Sequence, residues 1–129
     1  MNSWAALAAV AVGGAFGSAF RFLVNEWFVD RFGPGFPWAT FTINVSGSFL
    51  IGIVLQVAQS RIGLNPYARL FLATGILGGY TTFSTFAYET YWLSRDALNL
   101  QSLWYAAGSV VAGVAAALLG IALTRTALA

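Results

Sequence analysis

The stretch Gly78–Phe86 reads GGYTTFSTF, inside an apolar run from about Leu70 to Leu93. A plain membrane helix would carry Leu, Ile and Val there. Instead, two adjacent glycines predict an unwound turn. Four hydroxyl residues follow, Thr81, Thr82, Ser84 and Thr85, and Phe83 and Phe86 share a helix face at i, i+3 spacing. A break in a membrane helix exposes backbone groups that lipid cannot satisfy, so it survives only inside protein or beside a water-filled path. The stretch therefore predicts a broken helix with a backbone ion site and a polar–aromatic path beside it. The plainer alternative is a kinked helix packed through small residues.

Outward from this stretch, the periodic apolar runs place four membrane helices at roughly 4–29, 38–59, 68–94 and 103–125, in one transmembrane domain covering 1–129. The fold class is all-α, with the third helix broken in its middle. Gly13 and Gly17 form a GxxxG pair that lets another helix approach closely. Gly108, Ala112, Ala116 and Gly120 form a small-residue ladder in the fourth segment. The first loop, holding Asp30, Arg31, Gly33, Pro34, Gly35 and Pro37, is dense in turn formers. Arg61, Gly63, Asn65, Pro66 and Arg69 mark the second loop, and Arg95 and Asp96 begin the third.

Composition excludes several function classes. Hydrophobic residues make up 59% and charged residues 8%, with a mean hydropathy of +0.76; a soluble domain is nearer 25% charged. With no cysteine and no histidine, thiolate chemistry and the usual transition-metal sites are out of reach. Four acids, Glu26, Asp30, Glu89 and Asp96, leave little material for acid–base catalysis, so an enzyme is not expected. Six dispersed arginines do not make a nucleic-acid surface. No basic region precedes the first apolar run, so a cleaved signal peptide is not expected.

The arginines also bear on orientation. Arg61, Arg69 and Arg125 fall on one side, and Arg31 and Arg95, with Arg21 close by, on the other. That balance gives the positive-inside rule nothing to act on. It is compatible with insertion in both orientations and hence with an antiparallel homodimer.

The polar residues inside the spans set the chemistry. Asn44 reads either as an interhelical hydrogen bond or as an N–H donor facing an anion. Arg21 reads as an interface anchor or as a direct ion contact. Tyr105 and Ser109, at i, i+4, put hydroxyls on one face of the fourth helix. Cation paths use carboxylates or carbonyl rings, and many anion paths use Arg or Lys. Here the mid-membrane groups are neutral amide and hydroxyl donors, plus aromatic rings whose edges are electropositive. This set suits a small monovalent anion. Carbonyls freed at the break are oxygen ligands for a hard cation, and two antiparallel copies would double their number.

With these motifs in hand, the chain resembles the Fluc (CrcB-type) bacterial fluoride channels over essentially its whole length. Gly13, Gly14, Gly17 and Arg21 match the first motif. Thr40, Asn44 and Gly47 match the second. Gly75, Gly78, Gly79, Thr81, Thr82, Phe83, Ser84, Thr85 and Phe86 match the third, which is long and specific. The resemblance implies an antiparallel dual-topology homodimer in the bacterial inner membrane, exporting toxic fluoride passively from the cytoplasm. It implies that Asn44 donates to fluoride, that Phe83 and Phe86 line the pore, and that Tyr105 and Ser109 continue a hydroxyl track. It places Arg21 near the vestibule. It also implies a structural sodium ion at the dimer centre, held by the Gly78 and Thr81 carbonyls of both copies. The track departs from the family at Gly113, where Thr85 or water is the expected substitute. Asn44 and both phenylalanines are intact, which favours a homodimer over pairing with a different chain.

Two other readings compete. A small dual-topology, proton-coupled multidrug exporter needs a carboxylate deep in the membrane, for which Glu89 is the candidate. A non-conducting assembly subunit would explain the small-residue ladders but not the cost of the broken helix.

Overall fold

The computed structural model describes residues 2–95 and 99–129. Asp96, assigned above to the third loop, lies outside the described residues. The described chain is helical, and four of its segments are long and apolar enough to cross a membrane: Ser3–Phe32, Trp38–Gln59, Pro66–Ser94 and Leu100–Ala127.

Helix α1 (Ser3–Phe32) begins at an Asn2 cap, whose side chain accepts from the Trp4 N–H at 2.9 Å. It runs three residues past the expected end, so Asp30 and Arg31 lie in its last turn rather than in the loop. The stop is Gly33, whose φ of 74° ends the helix while its N–H still reaches the Val29 carbonyl at 2.9 Å. Helix α2 (Trp38–Gln59) follows the Pro-rich turn. The third segment opens with the turn α3 (Pro66–Arg69), capped by Asn65 with proline at its start. A last helix, α6 (Leu100–Ala127), is capped by Asn99, which accepts from the Ser102 N–H at 2.8 Å.

Between α3 and the break most of the third segment is not α-helical. Leu70–Leu77 forms a π-helix, followed by the short α4 (Gly78–Tyr80) and then α5 (Phe83–Ser94). The break is displaced from its expected place. Gly78 and Gly79 are helical, and the extended residues are Thr81 (φ −81°, ψ 158°) and Thr82 (φ −151°, ψ 115°). The physical reason lies in both residue pairs. β-Branched threonines favour the extended region, and their hydroxyls satisfy the broken ends. Thr81 Oγ1 donates to the Leu77 carbonyl at 2.9 Å, and Thr82 Oγ1 accepts from the Thr85 N–H at 3.2 Å. Gly79 serves packing instead. A Cβ there would lie 2.6 Å from the Gly14 carbonyl oxygen.

Two pairings build the bundle. α1 packs on the π stretch and α4, and α2 packs on α6. In the first, the GxxxG expectation holds at backbone level: a Cβ on Gly17 would collide with the Ile76 carbonyl oxygen. In the second, the contact runs through Gly52 against Ala117 and Gly120 against Phe49. Of the two glycines in the expected ladder, Gly120 is used that way and Gly108 has open space around it. Ala39, Ile43 and Tyr80 form the buried core, with Val24 and Phe28 packed against it.

Candidate functional site

The extended pair Thr81–Thr82 sits opposite α2, and Asn44 meets it squarely. Asn44 Nδ2 donates to the Thr82 carbonyl at 3.0 Å, and the Thr82 N–H donates to Asn44 Oδ1 at 2.8 Å. Both partners are main-chain groups, so the amide orientation follows from hydrogen bonding alone. The interhelical-bond reading of Asn44 is therefore realised. One of its two N–H groups is left over for another acceptor.

These bonds reassign the main chain around the break. In a continuous helix the Thr82 N–H would bond the Gly78 carbonyl, and the Thr85 N–H would bond the Thr81 carbonyl. Here the first is taken by Asn44 and the second by Thr82 Oγ1. The carbonyls of Gly78 and Thr81 lose those donors. They are oxygen donors of the kind hard cations take.

Two cavities flank the break and share Thr82 as a wall. The first, of about 380 Å³, is lined by Asn44, Ser48, Phe83, Phe86 and Ser109 among others. Phe83 and Phe86 stand 5.7 Å apart, centroid to centroid, with Phe83 79% exposed. Ser109 Oγ is buried and has no hydrogen-bond partner among the described residues. A buried hydroxyl without a partner costs about 1–3 kcal/mol, so its presence asks for an acceptor or donor from outside the chain. At Gly113, where the fourth-helix track lacks a hydroxyl, the group at hand belongs to α2. A Cβ on Gly113 would lie 3.4 Å from Ser48 Oγ.

The second cavity, of about 330 Å³, brings Arg21 together with Ser18, Asn25, Thr40, Thr82 and Thr85. Thr85 lines the arginine cavity, and Gly113 lines the other. Tyr105 is fully buried and reaches neither cavity wall directly. Its hydroxyl donates to Glu89 Oε2 at 2.6 Å, while Thr40 donates to Glu89 Oε1 at 2.9 Å. Its ring lies 5.3 Å from Phe86, so the phenylalanine pair, Tyr105 and Glu89 form one continuous set.

Sequence alone does not bring Ser48 and Thr82 into one cavity with Asn44 and the phenylalanine pair, nor Glu89 into contact with Thr40 and Tyr105. Glu89 carries a visible signal, being an acid inside a span. Thr82 stands in the deciding motif, but nothing there hints that its main chain pairs with Asn44. Ser48 carries no signal.

Comparison with known proteins supports a common family. The profile of a family described as CrcB-like protein, Camphor Resistance (CrcB), matches residues 8–121. A protein of Agrobacterium fabrum named Fluoride-specific ion channel FluC is 47% identical over 92% of this chain and 95% of its own length. Proteins of the same name from Rhizobium meliloti and Nitrobacter winogradskyi are 44% and 47% identical, over 90% and 95% of this chain and 93% and 97% of their own.

Proposed function

The chain belongs to the CrcB-like family, and from that premise we propose that it is a fluoride-selective channel carrying fluoride passively out of the cytoplasm. The observation that carries this reading is Ser109 Oγ, buried and unpartnered in a cavity it shares with Asn44, Phe83 and Phe86. Fluoride is small and holds water tightly, so each lost water must be replaced by a close donor. Ser109 O–H and the spare Asn44 N–H are such donors, and the edges of the two rings add weaker electropositive contacts. None carries a full charge that would trap the ion. Arg21, in the adjoining cavity, raises the local concentration of anions at the entrance.

We read the working unit as an antiparallel homodimer in the bacterial inner membrane. The balanced arginines support it, as does α5, which buries none of its residues within one chain and presents Phe83 outward. A structural sodium ion fits the break: the Gly78 and Thr81 carbonyls have lost their helical donors, and oxygen ligands suit a hard cation. Two carbonyls per chain are few, and a second copy would double them. Such an ion, when bound, would tie the two breaks together and hold their shape.

The test is efflux from liposomes containing only this polypeptide, loaded with fluoride or with chloride. Fluoride should leave and chloride should be retained. Equal leakage of both, or movement of neither, would remove the proposal.

A further inference from the structure

A third cavity lies at the first-loop end of the bundle, apart from the two that flank the break. It measures about 280 Å³ and is walled by Phe28, Phe36, Trp38, Tyr88 and Trp92, with Glu89 among its lining residues. Phe36 packs on Trp38 with ring centroids 4.5 Å apart, and its other neighbour is Tyr105 at 5.5 Å. Five aromatic residues and one acidic residue lining a single cavity make a set with its own chemistry. Ring faces attract cations, and more strongly where water is excluded. A carboxylate inside a membrane span needs compensation.

Glu89 is held as an acceptor by two hydroxyls, Thr40 at 2.9 Å and Tyr105 at 2.6 Å, one on each oxygen. A carboxylate offers about four lone-pair directions, so acceptor capacity remains. One of the five rings already serves a cation: the Arg95 guanidinium carbon lies 5.4 Å from the Trp92 centroid. The aromatic wall disfavours strongly hydrated ions such as sodium, because it cannot replace their water. It favours a weakly hydrated cation with methyl groups around its charge.

We propose that this aromatic cavity is a binding site for a small quaternary ammonium cation, seated on the ring faces with its charge toward Glu89. The same chemistry is offered by free choline-like solutes and by the headgroup of phosphatidylcholine. Glu89 and Asn25 connect the site to the channel proposed above, since Asn25 also lines the Arg21 cavity. The binding claim itself does not depend on conduction.

The test titrates choline, and separately its uncharged carbon isostere 3,3-dimethylbutan-1-ol, into the purified detergent-solubilised chain. Tryptophan fluorescence and calorimetry report binding. Choline should bind about tenfold more tightly than the isostere or better. Trp92→Leu should weaken choline about tenfold, and Glu89→Gln should do the same while leaving the isostere unchanged. The wild-type comparison of the two ligands needs no variant, so misfolding of Glu89→Gln does not rescue the proposal. Equal affinity for both compounds, or no saturable choline signal, overturns it. Reconstitution into phosphatidylglycerol with and without phosphatidylcholine separates the sources. Choline affinity that falls when phosphatidylcholine is present supports the headgroup as occupant, and unchanged affinity supports the free cation.

Discussion

Replacing Asn44 by aspartate tests the link between the break and conduction most directly. The aspartate keeps an acceptor for the Thr82 N–H, now bonded at 2.8 Å, but loses the donor that serves the Thr82 carbonyl at 3.0 Å. Leaving that carbonyl unmatched costs about 1–3 kcal/mol of stability. The effect on an anion is larger. A unit negative charge about 4 Å from the ion, at an effective dielectric near 20, repels it by about 4 kcal/mol. At 1.4 kcal/mol per decade this slows passage roughly a thousandfold. The assay is fluoride efflux from liposomes read by a fluoride electrode, paired with size-exclusion profiles of the same preparation. We expect a folded protein of unchanged elution volume with almost no flux. Flux within tenfold of wild type would refute the reasoning and take Asn44 off the path.

Four further outcomes follow from the same geometry. Ser109→Ala removes a hydroxyl that has no partner within the chain, so thermal stability should hold or rise while efflux falls about tenfold; unchanged efflux would show the hydroxyl idle. Phe83→Ile and Phe86→Ile should each slow permeation, and Phe86→Ile should also lower the melting temperature, because Phe86 packs on Tyr105; full conductance in both would show that the rings only pack. Gly17→Val drives a side chain into the Ile76 carbonyl; backbone cannot move aside as a side chain does, so a loss of about 3 kcal/mol, read as a lower aggregation temperature in detergent, is expected. Replacing sodium by N-methyl-D-glucamine throughout purification should lower thermal stability, and added sodium should restore it; equal stability in both buffers would remove the cation from the break.

Most of the fold is legible in the amino-acid sequence. Spans show there because lipid demands about 20 apolar residues and internal backbone satisfaction, which is a local requirement. The GxxxG pair on α1 announces a close approach, and Gly17 makes it against Ile76. The site is legible in residue type but not in position. Glycines suggest the break because they permit unwinding, yet Gly79 is helical and is there to admit the Gly14 backbone. Thr81 and Thr82 take the extended conformation because an asparagine 38 residues earlier in the chain satisfies Thr82 on both sides.

Composition and periodicity alone establish a membrane bundle of four helices with neutral donors and rings where charges would otherwise stand. Those properties depend on each segment and its solvent, so they are written along the chain. Folding adds the pairing of Asn44 with the Thr82 main chain, the approach of Ser48 to Gly113, and the two hydroxyls on Glu89. Each of these depends on which helix faces which. That choice is made by close backbone contacts between segments distant in sequence, and no local pattern encodes it.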